Sequence, residues 1–348
     1  MDNSNANVPS TTASRLELRP PQNSANGFAP KPAAPQRLWL HILLFTLTFV
    51  SATLPFSTPM PGEGPLDALL LGPLRDPTRL IAGLRFSVPL LAILLAHEMG
   101  HYITAKLYGV NQSLPFFIPA PGTYFGTMGA VIVMRSQPPS RPALLNVAVM
   151  GPYAGVLLAI PAAAWGLANS TPIDPETLTG TSIVFGSSLL FQFLETTCSP
   201  NGTDVLLHPV GLAGWVGLFI TSLNLIPAGQ LDGGHIAYAI FGKFHKHCSR
   251  AIVILLLCLG LFLGGEGSIW LVWALLLSFF GLRHPPVQNE NVPLSRSNQL
   301  NALLALLLFI ATFTPVPLKI MSPDSPQFNE NPMQQNAPPP EPVEEFKL

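Results

Sequence analysis

Residues 85–101 read RFSVPLLAILLAHEMGH, and the contrast within that stretch decides how the chain folds. Between Arg85 and His97 no side chain carries a charge, and the wider run 80–107 matches the roughly 20 residues that cross a bilayer as a helix. Its second half holds His97, Glu98 and His101. An ionisable side chain at membrane depth costs about 3 kcal/mol or more, so a run that keeps three of them has a use for them. On a helix, His97 and His101 lie one turn apart on one face, where both imidazoles can hold a single metal ion. Glu98, next to the first of them, reaches a water at that ion.

The rest of the chain has the same apolar character. Of 348 residues, 48% are hydrophobic and 10% charged, against about 25% charged in soluble domains. Further apolar runs fall near 38–54, 143–168, 207–227, 250–264, 268–282 and 300–318. The expected fold is an all-α polytopic membrane protein of six to seven transmembrane helices, in a membrane-embedded domain over 38–320. The run at 183–194 is too short to span and reads as a re-entrant or interfacial piece. Residues 1–37 and 321–348 are rich in Pro, Asn, Ser or Gln and read as disordered tails. The first run is preceded by too long and polar a segment to be a cleaved secretory signal.

Residues 114–134 break the helical pattern. Pro115, Pro119, Pro121, Gly122, Gly126 and Gly129 oppose a helix, while Phe116, Phe117, Ile118, Val131, Ile132 and Val133 favour strands. A short β-rich re-entrant segment near the active site is expected, because irregular backbone at membrane depth must be buried in protein or line a watery cavity. A cytoplasmic N-terminus leaves only Arg75, Arg79, Arg85, Lys319 and Lys347 outside, as the positive-inside rule favours. The net charge of -1, with no basic stripe, gives no reason to expect nucleic acid.

Apart from Glu98, the acid within or beside strongly apolar sequence is Asp232, in the stretch NLIPAGQLDGGH from Asn224 to His235. Pro227 ends the preceding helix and the glycines permit a close turn, which brings Asp232 to the depth of His101. Two imidazoles and one carboxylate make a three-ligand zinc site with one open position, and His-Glu-x-x-His is the spacing zinc hydrolases use.

The pairing of HEMGH at 97–101 with Asn224-x-x-Pro227-x-x-x-Leu231-Asp232-Gly233 resembles the site-2 protease family of intramembrane metalloproteases. The segments PFFIP at 115–119 and FGTMGA at 125–130 are similar to the bacterial, cyanobacterial and plastid branch, and the resemblance covers roughly residues 80–285. It implies one zinc ion per chain held by His97, His101 and Asp232, with Glu98 as catalytic acid/base and Asn224 as a polar group near the scissile peptide. It also implies transmembrane protein substrates in a lipid bilayer, cleaved in regulated intramembrane proteolysis. The implied location is a multi-pass position in a bacterial cell membrane, or a cyanobacterial or plastid one. No segment is long enough for the regulatory PDZ domain that some members insert. Oligomeric state is left open.

A competing class is a membrane metal-ion or proton transporter using the same His/Glu/Asp cluster, although the residues form no relay along the chain. Serine-type proteolysis at Ser187 or Ser188 lacks a partnered histidine. Gly151 and Gly155, four apart, read as a close helix contact. His235 is placed either to support the site or to face solvent. His245 and His247 are assigned to a basic loop, His41, His208 and His284 to span ends without chemistry, and Glu195 and Asp204 to an outside loop. Cys198, Cys248 and Cys258 are assigned to buried packing.

Overall fold

The computed structural model describes residues 37–56, 72–172, 182–199 and 205–321. The tails expected over 1–37 and 321–348 therefore lie outside the described residues, except for Arg37 and Met321. Along the chain run α1 (Leu38–Thr53), a single turn α2 (Gly72–Arg75), α3 (Arg79–Leu107), β1 (Phe116–Pro119), β2 (Thr127–Val131) and α4 (Arg141–Ala168). Then follow β3 (Thr171–Pro172), β4 (Ser182–Phe185), α5 (Leu189–Cys198), β5 (Val205–Leu206), α6 (Pro209–Asn224) and α7 (Asp232–Phe241). The order closes with α8 (His245–Phe262), α9 (Ser268–Phe280), α10 (Arg296–Thr312) and β6 (Leu318–Met321).

Each of the seven apolar runs holds a helix. Among the described residues, four stretches are long and apolar enough to cross a membrane: Leu38–Phe56, Arg79–Leu107, Arg141–Ala168 and Asp232–Phe262. Pro209–Asn224 and Gly264–Phe279 are apolar but shorter. The 16 residues of α6 reach about 24 Å, less than a hydrocarbon core of about 30 Å.

The core is built from α3, α4 and α6, which pack on one another. Helix α6 is buried on every side, with Trp215 and Leu218 at 2% exposure. A helix that is apolar all round belongs in a core or in lipid, and the outer helices show the second case. Ile254, Leu261 and Phe262 of α8, and Leu275 and Phe279 of α9, are all at least 60% exposed. Polar groups turn inward while apolar side chains clothe the outside, the arrangement a bilayer solvent favours.

The prolines and glycines over 114–134 give a hairpin. β1 and β2 pair antiparallel with Phe116 opposite Val131 and Phe117 opposite Ala130, and an irregularity before Pro119 bends the ladder. Helix α1 holds the hairpin in place. His41 Nδ1 donates to the Pro115 carbonyl at 3.0 Å, Ser51 Oγ donates to the Gly126 carbonyl at 2.6 Å, and Phe45 meets Phe117 edge-on. His41, expected to be idle at a span end, is a buried anchor of this segment.

The run at 183–194 divides between β4, which pairs with β6, and α5. Glu195 and Cys198 lie on α5 rather than in a loop, and Asp204 lies outside the described residues. The cysteines depart from their expected burial. Cys198 and Cys248 are half-buried and Cys258 is exposed on the apolar flank of α8, where a thiol behaves as one more small apolar group.

Candidate active site

Helix α3 carries His97 and His101 one turn apart, and at 3% and 9% exposure both are withdrawn from the outer surface. Asp232 reaches them from the other end of the motif region. After Asn224 the chain makes a tight turn, and α7 begins at Asp232. A Cβ on Gly233 would strike the Leu225 carbonyl, so the turn closes only with hydrogen there.

The result is a triangle of donor atoms. Asp232 Oδ2 lies 3.1 Å from His97 Nε2 and 3.2 Å from His101 Nε2, and the two Nε2 atoms are 3.2 Å apart. Zinc–nitrogen bonds of 2.0–2.1 Å in a tetrahedron place their ligand atoms about 3.3 Å apart, so the three donors fit the ion. Among the described residues this is the only such group of three metal-ligating side chains.

The neighbours of the triangle orient it. His101 Nδ1 lies 2.8 Å from the Val147 carbonyl, an obligate acceptor, so Nδ1 carries the proton and Nε2 presents its lone pair to the other donors. Gln112 Nε2 donates to the His101 carbonyl at 3.1 Å. Asn224 Nδ2 stands 3.3 Å from His97 Nε2. Glu98 is 5% exposed, its carboxyl group has no hydrogen bond to protein among the described residues, and it lines the same cavity. That cavity, of about 150 Å³, is bounded by the donor triangle on one side and by Ala130, Val131 and Ile132 of the hairpin region on another.

Two features were not legible in advance. Gly151 and Gly155 are not merely a helix contact, because a Cβ on Gly151 would run into the His101 ring and one on Gly155 would stand 3.2 Å from His97. The glycines of α4 repeat the four-residue spacing of the histidines they accommodate, and that shared period is the signal available in the sequence. The second feature is a pair of imidazoles. His235 lines the cavity, and its Nδ1 meets Nε2 of His284, 49 residues away. His284 also stacks on Tyr238 at 4.2 Å, so it is neither isolated nor idle. Burial pushes its pKa down to about 4, with His245 nearby adding to the fall and the Pro285 carbonyl opposing it.

The remaining polar residues do other work. His245 belongs to the first turn of α8 rather than a loop, is 2% exposed and pairs with Ser249 Oγ at 3.2 Å. His208 caps α6 by accepting from the Val210 amide, and Ser188 caps α5.

The model of Peptidase family M50 matches residues 85–263, which include the whole donor triangle. The chain belongs to this family, the site-2 proteases. It is 31% identical over 312 residues to "Probable zinc metalloprotease EGY1, chloroplastic" of Arabidopsis thaliana, an alignment covering 81% of this chain and 54% of the relative. The protein of the same name from Oryza sativa subsp. japonica is 30% identical, with 82% and 52% covered. "Probable zinc metalloprotease EGY2, chloroplastic" of Arabidopsis thaliana is 32% identical over 232 residues, with 65% and 40% covered. The chain thus spans about half the length of the curated relatives it matches. M50 is a peptidase family and the relatives named above are described as probable zinc metalloproteases; in this chain His97, His101 and Asp232 are the residues that could hold such an ion.

Proposed function

We propose that this M50 chain is a zinc-dependent endopeptidase that cleaves within the transmembrane segments of other membrane proteins, with His97, His101 and Asp232 as metal ligands and Glu98 as acid/base. The observation that carries the reading is the 3.1–3.2 Å triangle of donors sharing one buried cavity with an unpartnered Glu98. When bound there, zinc supplies Lewis acidity toward a peptide carbonyl and acidifies water. Glu98 is the side chain that would take the proton from the attacking water and deliver it to the leaving amine. Asn224, projecting from the end of α6, is placed to donate a hydrogen bond to the carbonyl oxygen.

A helical substrate hides its peptide bonds, so the cleaved stretch must unwind. β2 is paired on one side by β1, and residues 130–132 border the cavity, which supports main-chain pairing of the unwound stretch along that strand. We further assign the membrane domain to 38–320 with its catalytic core near 80–285, a six- or seven-span topology in which the short α6 is sheathed by the longer α3 and α4, and a cytoplasmic N-terminus. A role in regulated proteolysis within a bacterial, cyanobacterial or plastid membrane belongs to the same reading, and the chloroplastic relatives favour a plastid-type membrane.

Glu98→Gln tests the proposal. The purified variant should retain about one zinc per chain while cleavage of a transmembrane reporter falls by at least ~100-fold. Asp232→Ala should lose both zinc and cleavage. A metal carrier would instead keep moving ions in the Glu98→Gln form, and full cleavage by that variant removes Glu98 from the chemistry.

A further inference from the structure

A second cavity, of about 370 Å³, lies apart from the donor triangle and is lined by Lys246, Arg250, Gly281, Leu282 and Arg283. Lys246 and Arg250 stand one turn apart at the start of α8, and Arg283 comes from the loop after α9. Among the described residues none of these three cations has a carboxylate within ion-pair distance, whereas Arg79 and Lys319 do. Three like charges around one space repel one another unless an anion sits between them. The positive-inside rule accounts for basic residues at this end of the molecule but not for their convergence on one cavity without an acid.

Position identifies the anion. α8 and α9 pack as a pair joined by the short turn Gly264–Gly267, so the start of α8 and the end of α9 meet at one end. One turn beyond Arg250 the apolar flank begins: Ile254 is 60% exposed and Leu255 59%, and on α9 Leu275 is 70% and Phe279 83%. The cavity therefore sits where a lipid-facing surface gives way to polar sequence, at the level of phospholipid headgroups. Acyl chains lie along the exposed flanks while the three cations enclose the phosphate. We propose that Lys246, Arg250 and Arg283 form a binding site for the headgroup of an anionic phospholipid. The wall of this cavity also touches the catalytic turn: a Cβ on Gly229, three residues before Asp232, would stand 3.2 Å from the Gly281 carbonyl. A headgroup bound here braces the loop against which that turn rests.

The test uses the full chain purified in neutral detergent and titrated with phosphatidylglycerol or phosphatidylcholine in mixed micelles, with retained lipid read by native mass spectrometry. Wild type should retain phosphatidylglycerol in preference to phosphatidylcholine. Lys246→Gln/Arg250→Gln/Arg283→Gln should weaken that retention at least about tenfold. All three side chains are exposed, and zinc content and helicity verify the fold of the variant. A control neutralises three exposed cations elsewhere, Arg37→Gln/Lys106→Gln/Arg296→Gln, and should leave retention within about twofold of wild type. Equal losses in the two triple variants would reduce the effect to general surface charge and overturn the site. Inorganic phosphate displacing the lipid at equal concentration would overturn the assignment to a lipid.

Discussion

Gly151 shows how much of the site depends on a residue that contributes no chemical group. Its missing side chain is the space that the His101 ring occupies, and the Val147 carbonyl one turn earlier on the same helix orients that ring. Helix α4 thus acts on the metal site through a void and a carbonyl. Gly151→Ala puts a methyl group into the imidazole, and we expect zinc affinity and cleavage to fall by at least ~10-fold, the scale seen when the supports of a metal ligand are disturbed. Gly155→Ala, with its methyl 3.2 Å from His97, should cost less because a shift of a few tenths of an ångström relieves it. Equal zinc content in Gly151→Ala and wild type, measured on purified protein, would refute this account of the glycine.

At the level of elements, the β1–β2 hairpin is the piece whose role the fold explains best. Its strands are too short to be stable alone, and α1 supplies what they lack through His41, Phe45 and Ser51. In the proposed reaction, an anchored hairpin beside the cavity would hold an extended peptide against Glu98 and the donor triangle without moving with it. Proline placed in turn at Ala130, Val131, Ile132 and Val133 removes one main-chain donor at a time. At least one of these variants should keep zinc and lose reporter cleavage. If every variant that retains zinc cleaves as wild type does, the strand takes no part in holding substrate. The β-rich character of this segment was legible in the sequence because prolines and glycines interrupt an otherwise apolar β-forming stretch, whereas the pairing of β1 with β2 comes from the structure. Its tie to α1 was not legible, since nothing in the first apolar run marks His41 as the partner of a carbonyl 74 residues away.

Across the described helices, polar groups of the site are gathered inward beneath apolar outer flanks, and the pair His235–His284 extends this interior from the cavity toward the loop after α9. The consequence is a pH effect with a definite sign. His284 has its pKa held near 4 in the folded state against about 6.5 when unfolded. Above about pH 6.5 it is neutral in both states and costs nothing. Between 6.5 and 4 the unfolded chain takes up the proton first, so folding stability drops by up to about 1.4 kcal/mol per pH unit from this group. The thermal midpoint of the full chain in detergent should therefore fall as pH is lowered through that window, and His284→Gln should flatten part of the fall. An identical pH dependence in the two proteins would show that His284 remains free to titrate in the fold.

Sequence alone determined what depends on neighbours within a turn or on the length of a run. The i, i+4 spacing of His97 and His101 needs only a helix, and the seven apolar runs need only be read to place seven helices. Lengths of apolar sequence do not settle crossings, because a short helix such as α6 is buried by longer neighbours whatever its own reach. The motif pairing already implied that Asp232 joins His97 and His101, but tertiary structure alone decided the 3.1–3.2 Å spacing of the three donors and the other distant meetings, Gly151 under His101 and His284 against His235. These meetings follow from the angles at which α3, α4, α6 and α7 pack. Such angles are set by the summed fit of many apolar side chains, and no single residue in the sequence records them.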